Sequence, residues 1–164
     1  MPRVIATPAD IALAQAIWNA AVPSMVWPGG VGTIFVAGEL ADPLATGYIN
    51  DQNNAILLTR LSTVRVGDDI WRPVAADHPL LGQPCTQLYL WATNPARARA
   101  LFIFWFQDQV AKGKQYAMGW VYRSIPPGLV NRLDTWPFVR ADYTTPHGNV
   151  SMYTADMPAV LALL

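Results

Sequence analysis

Side-chain catalysis would have to come from very few residues in this chain, which has two histidines and a single cysteine. Asp77 and His78 are the one acid–imidazole pair adjacent in sequence, and Cys85 follows Pro84 shortly after. A loop that gathered all three would resemble the nucleophile, base and orienter of a small hydrolase. Against that, neighbouring loop residues tend to face solvent together, and a cysteine at a strand start reads as a small core residue. Metal ligation has less to stand on, because neither histidines at i,i+4 spacing nor a second cysteine exists, and Asp68-Asp69 reads as a turn. Gly29-Gly30-Val31-Gly32-Thr33 has the glycines of a phosphate cradle. It lacks the lysine that reaches a terminal phosphate and a third glycine at a helix entry after a strand. Ser24, Ser62, Ser124 and Ser151 sit outside any G-x-S-x-G elbow. The sequence therefore predicts no catalytic site, no metal and no cofactor.

Composition points to contact rather than chemistry. Charged residues are 13% of the 164 positions and 52% are hydrophobic, which leaves little charge to coat a surface. Seven Trp, six Tyr and five Phe supply the large, low-entropy groups that anchor protein interfaces. Eleven basic and eleven acidic residues cancel with no block of either sign, which disfavours nucleic acid and anionic membrane as partners. No run approaches the ~18 apolar residues of a membrane span. Pro8 and Asp10 break the N-terminal apolar stretch as no signal peptide would accept, and the lone Cys85 suits a reducing compartment.

The elements that would position any site are marked by their ends. Thr7 as N-cap, Pro8 as first helical residue and Asp10 in the first turn predict a helix that buries Ile11, Ala14 and Trp18 and stops at Pro23. Residues 23–54, with Pro and Gly between short apolar pieces, read as an extended arm or short edge strands. Strands are predicted over 55–66 and 86–92, then a helix capped by Asn94-Pro95 and ended by Gly113, then strands over 116–125, 138–144 and 150–154. The last two form a hairpin through Pro146-His147-Gly148-Asn149. In the 86–92 strand, Leu88, Leu90 and Ala92 share one face and Gln87, Tyr89 and Trp91 the other. The apolar tail 155–164 docks on the chain's own core or on a neighbour. This order predicts a single α+β domain over 1–164, two helices packed on a mostly antiparallel or mixed sheet.

The second helix poses the sharpest packing problem. Leu101 to Phe106 are all large and apolar, more than one revolution of helix, so no single face holds them. The longer stripe, Ala100, Ile103, Phe104 and Val110, is expected to pack on the sheet together with Leu88, Leu90, Val139 and Tyr143. The shorter stripe, Leu101, Phe102 and Trp105, is expected to meet the first helix or a second copy of the chain. Trp27 and Phe35 of the arm join it as candidate interface residues.

Two segments, LYLWATNPARARALFIFWFQDQV and DTWPFVRADYTT, resemble the tail terminator (tail completion) proteins of long-tailed bacteriophages: a strand ending in Trp-Ala, a capped Ala-rich helix, and a Trp-Pro turn leading into a strand. The arm from Trp27 to Asn54 is longer and richer in glycine than that family's pattern. The resemblance implies a non-enzymatic virion protein, made in the host bacterial cytoplasm. It would assemble as a homo-oligomeric ring, typically a hexamer, that caps the tail tube and meets the major tail tube protein and the head–tail connector proteins. Another neck or tail subunit (head-completion, adaptor or minor tail protein) shares much of the layout. A carbohydrate-binding tail module using Trp27, Trp71 and Trp91 is a further alternative.

Overall fold

The computed structural model describes residues 1–21, 34–92, 98–122 and 131–164, with only the backbone described at 90–92 and 98. The elements are β1 (Arg3–Val4), α1 (Pro8–Ala21), α2 (Val36–Leu40), β2 (Ala45–Ile49), β3 (Ile56–Thr63) and β4 (Pro84–Ala92). They continue with α3 (Ala98–Ala111), β5 (Tyr116–Tyr122), β6 (Val139–Thr145), β7 (Gly148–Asp156) and α4 (Met157–Ala162). A helical turn at 131–133 precedes β6. The strands form one seven-stranded sheet in the order β1-β2-β3-β4-β5-β7-β6. Every neighbouring pair is antiparallel except β4 and β5, which run parallel.

Helix α1 starts as its sequence dictates. The Thr7 hydroxyl accepts the Asp10 N–H at 3.1 Å, while the Asp10 carboxylate accepts the Thr7 N–H at 3.2 Å, so two orphan donors of the first turn are satisfied reciprocally. Arg3 donates to the same carboxylate at 3.1 Å and ties β1 to the helix. Ala14, Ile17 and Trp18 then face Ile49, Ile56 and Leu58 of the sheet, with Val36 of α2 in the same cluster. The region expected to be an extended arm thus contains a helix and a strand. β2 lies between β1 and β3, and its Tyr48 and Ile49 are fully buried. The glycines that suggested a loop, Gly29, Gly30 and Gly32, lie outside the described residues, as do Trp27, Pro23, Asn94 and Pro95.

Helices α3 and α4 cover the opposite face of the sheet, and here the structure reverses the expected packing. Leu101, Phe102, Trp105 and Phe106 are buried against Tyr48, Leu57, Ala117 and Ala155. Trp105 is 2% exposed, and its indole N–H donates to Thr86 Oγ1 of β4 at 3.2 Å. These three candidate interface residues, Leu101, Phe102 and Trp105, therefore belong to the chain's own core. Ala100 is exposed, and Ile103, Phe104 and Val110 are half-buried. A run of six apolar residues has almost no amphipathic asymmetry, so it cannot report which stripe meets the sheet. The bulkiest side chains take the inner face because they bury most area. Gly113, at φ 79°, ends the helix in the left-handed region that costs glycine least.

Three more expectations change. Val139 is 64% exposed rather than in the core: it opens β6, the edge strand, of whose seven residues Thr145 alone is buried. Tyr143 and Leu88 are half-buried; Tyr143 accepts the Ala75 N–H on its hydroxyl at 3.2 Å, under the 64–83 loop. Leu58 stands opposite Leu90 and Thr59 opposite Leu88, so Tyr89 is an extra residue on β4 and the simple alternation of Leu88, Leu90 and Ala92 breaks there. The C-terminal tail forms α4. Asp156 caps it by accepting the Ala159 N–H at 3.2 Å, and Met157 and Val160 are buried in the α3 cluster, so the tail docks on the chain's own core.

Candidate functional site

The geometry that sets this sheet apart lies between its two parallel strands. The β4–β5 ladder runs from Cys85 opposite Tyr116 to Leu88 opposite Gly119 and stops. Beyond that point β4 continues to Ala92, paired only with β3, and β5 continues to Tyr122, paired only with β7. Between the two strands, Tyr89–Ala92 and Trp120–Tyr122 have no ladder partner among the described residues. Backbone N–H and C=O groups facing that gap need partners, which makes the parting a place for another extended chain of amides. The Tyr89 bulge lies where the strands separate and adds the local bend that a bulge imposes.

A cleft opens at this parting on the α3 face. It holds about 390 Å³ of space, its mouth included, and its walls are almost entirely apolar. Leu88 of β4, Gly119 of β5, and Phe102 and Trp105 of α3 line its inner part, while Leu133 and Phe138 lie on the side of the 131–138 segment. Phe138 stacks on Trp136 at a centroid distance of 5.2 Å and meets Phe106 edge-on at 6.2 Å, so the Trp-Pro segment is tied to α3 through aromatic contacts. Tyr153 brings a polar group to this wall. Its hydroxyl donates to Asp134 at 2.8 Å, Arg140 donates to the same carboxylate at 2.7 Å, and burial followed by the hydrogen bond to Asp134 pushes the phenol up to about 12. Tyr153 is therefore a protonated wall residue rather than a base.

On the other face of the same strands lie two buried donors that have no hydrogen-bond partner among the described residues. Cys85, Gln87, Met118 and Trp120 share this face, opposite α3. Gln87 is 6% exposed, and among the described residues neither its Nε2 nor the buried indole Nε1 of Trp120 has a hydrogen-bond partner. Each unsatisfied buried donor costs about 1–3 kcal/mol. The Arg72 guanidinium lies over the Trp120 ring, 5.6 Å from its centroid, and its Nε donates to Asp69 at 3.3 Å. Near Tyr89, Glu39 of α2 and burial both hold the phenol above its ordinary range, burial contributing most.

The hydrolase-like set does not become an active site. Cys85 is fully buried among Val64, Val74, Met118 and Met152, and burial pushes its thiol up to about 12, the reverse of activation. His78 is largely buried, its Nδ1 accepts the Leu80 N–H at 3.2 Å, and burial lowers its basicity. Trp71 is occupied internally, stacked on His147 at 3.3 Å with its carbonyl accepting the Tyr122 hydroxyl at 3.1 Å. One face of the Trp71 indole is thus taken by His147; Trp27 and the Trp91 side chain lie outside the described residues. Phe35, 68% exposed, is the residue just before α2.

No protein-family model and no curated protein matches the sequence. Solved structures do match the fold along nearly its whole length. FeeM, an N-acyl amino acid synthase from uncultured soil microbes, superposes with a TM-score of 0.67 at 13% identity, covering 99% of this chain and 98% of that one. A Desulfovibrio desulfuricans protein described as a candidate acetyltransferase of the GNAT family gives 0.63 at 14% identity over 96% and 98% of the two chains. This chain has the GNAT fold. The yncA protein of Salmonella typhimurium, assigned as an acetyltransferase and solved with its cofactor acetyl-CoA, gives 0.59 at 12% over 96% and 94%.

These matches overturn the tail terminator resemblance. The GNAT fold also runs helix, strands, helix, strands, so element order and a capped Ala-rich helix did not discriminate between the two. With the resemblance fall the expectations built on it: a virion structural protein, a hexameric ring, tail tube and connector proteins as partners, and a place in the virion. The non-enzymatic reading falls too, since the matched structures are acyl- and acetyltransferases by description. Among the described residues, no helix is long and apolar enough to cross a membrane.

Sequence reasoning missed the parting because it is a property of pairing, not of composition. It assigned Leu88 to the core and Phe102 and Trp105 to an interface, and all three line the cleft. The signal that was present is Gln87, a buried-strand polar residue sharing a face with Tyr89.

Proposed function

We infer that this chain is an N-acyltransferase, moving an acyl group from a thioester donor to a primary amine. The observation that carries the reading is the parting of β4 and β5 after Leu88 and Gly119, with an apolar cleft at its mouth. The GNAT fold it shares with an N-acyl amino acid synthase and with acetyltransferases supports the same chemistry.

The donor supplies a carbonyl activated by sulfur and a pantetheine-type arm with amide groups. The open backbone edges of Tyr89–Ala92 and Trp120–Tyr122 fit such an arm, because an extended amide chain adds to unpaired strand edges as another strand would. The residues do the positioning. Leu88, Gly119, Phe102 and Trp105 bound an apolar cleft that suits the hydrocarbon part of an acyl group. Its walls exclude water from the reacting carbonyl and so limit hydrolysis of the donor. In the reaction, the neutral amine forms the C–N bond, the C–S bond breaks, the sulfur leaves as thiol, and one proton passes from the nitrogen. Holding amine and thioester in reach is the main contribution such a site makes.

Hydrogen exchange with S-octanoyl pantetheine or octanoyl-CoA tests the placement. Backbone amides of 89–92 and 120–122 are expected to gain protection with the donor bound. Protection confined to other elements, or no binding of any acyl thioester, contradicts the reading.

A further inference from the structure

We propose that β6 is a pairing edge for a second copy of this chain, joined about a twofold axis through Ala141 so that the two sheets run on as one. Neither strand of the β4–β5 parting takes part, so the pairing stands apart from the acyltransfer reading.

β6 is the outermost of the seven strands, and among the described residues no strand lies beyond it. The N–H and C=O groups on its outer side are open to another extended chain. The order of residues names the occupant. Val139-Arg140-Ala141-Asp142-Tyr143 is complementary to itself when reversed. In an antiparallel pairing centred on Ala141, Arg140 stands opposite Asp142 of the partner subunit, and Asp142 opposite Arg140 of the partner subunit. Val139 and Tyr143 are matched across the axis in the same way. Moving the axis by one residue either way sets Arg140 against Arg140 or Asp142 against Asp142, so like-charge repulsion holds the register.

The two faces agree with this. Arg140 and Asp142 stand opposite Tyr153 and Ser151 of β7, on the α3 face, whereas Ala141 and Tyr143 pack with Met118 and Met152 on the other. On the α3 face each Asp142, with a side chain 53% exposed, gains a second cation besides the Arg140 of its own strand. On the other face Val139, left 64% exposed in the single chain, is set against Tyr143 of the partner subunit. A β-branched residue opposite an aromatic one is among the pairs that stabilise a sheet. Ala141, the smallest side chain of β6, lies on the axis, where two copies of one residue must meet. Such a contact is isologous and closes at two copies, so it builds neither a ring nor a fibre. It is also small, which makes the dimer concentration-dependent rather than obligate.

Sedimentation velocity from about 5 µM to about 500 µM, with hydrogen exchange at both ends of the range, tests the pairing. A monomer giving way to a dimer is expected, with added protection confined to amides of residues 138–144. Val139→Lys charges a position that is already exposed, so it should leave the melting temperature of the dilute protein unchanged and weaken dimerisation at least 10-fold. Arg140 also holds Asp134 and Asp142 within its own chain, so Arg140→Glu alone does not separate pairing from folding. Mixing Arg140→Glu with Asp142→Arg does. Each variant alone sets like charges across the axis and should stay monomeric, while in the mixture every charge meets its opposite and a one-to-one dimer should form. Where a charge variant does not fold, Val139→Lys and the exchange pattern decide. A monomer at every concentration, a dimer protected elsewhere than on β6, a dimer that Val139→Lys leaves intact, or folded charge variants that stay monomeric when mixed overturns the β6 pairing.

Discussion

Filling the cleft from Gly119 should shorten the acyl chain the protein accepts. A Cβ at Gly119 would meet Leu88 Cβ and Cδ2 at 3.5 Å, an ordinary van der Waals contact, so Gly119→Ala should fold and act almost as the parent does. Gly119→Leu must place its three remaining carbons in the cleft, displacing about three methylenes of a bound chain. At about 0.8 kcal/mol per buried methylene this amounts to about 2.4 kcal/mol, or roughly 60-fold in kcat/KM for an octanoyl donor. An acetyl donor, which does not reach that space, should lose little. The assay is steady-state kcat/KM for acetyl, butanoyl, hexanoyl and octanoyl thioesters with one amine, in the parent and both variants, with melting temperatures as a fold control. A Leu variant that loses all donors equally while staying folded, or that handles octanoyl unchanged, would refute the assignment of the cleft to the acyl chain.

Other consequences can be checked on the protein alone. Trp105→Arg puts a charge into the α3–sheet core and removes the bond to Thr86, and should cost at least the ~3–5 kcal/mol typical of deleting a buried aromatic; denaturant unfolding reads it. A folded variant with altered oligomer size alone would restore the interface reading of that stripe. Asp10 is held down to about 2 by Thr7 first and then Arg3, against an ordinary 3.8. Its contribution is therefore fully present above about pH 4 and is lost as pH falls towards 2, and Asp10→Asn should flatten that part of the stability profile. A thiol pushed up to about 12 by burial should resist alkylation at pH 8 in the native state; fast labelling of native Cys85 would contradict its placement.

Local chemistry made much of the fold legible. Thr7, Pro8 and Asp10 marked the start of α1, Gly113 the end of α3, and the turn around Gly148 the β6–β7 hairpin, because caps and turns are decided within a few residues. The arm was misread because α2 is only five residues long, and β2 earns its place by burial between β1 and β3 rather than by its own alternation. The orientation of α3 was not readable, since its apolar run gives both stripes similar hydrophobicity. The site was the least visible part. Its features are a ladder that stops, a bulge at Tyr89 and a cleft lined by residues that look like core, and none of these has a side-chain signature. The one trace in the sequence was Gln87, polar at the centre of a strand.

The central claim is tested most directly by measuring free thiol released from octanoyl-CoA by the purified protein with and without an amino acid, with mass spectrometry of the product. Thiol release that depends on the amine and matches the N-octanoyl amide formed mole for mole is the predicted result. Release that is the same without the amine, or no release with any acyl thioester and any amine, would contradict it.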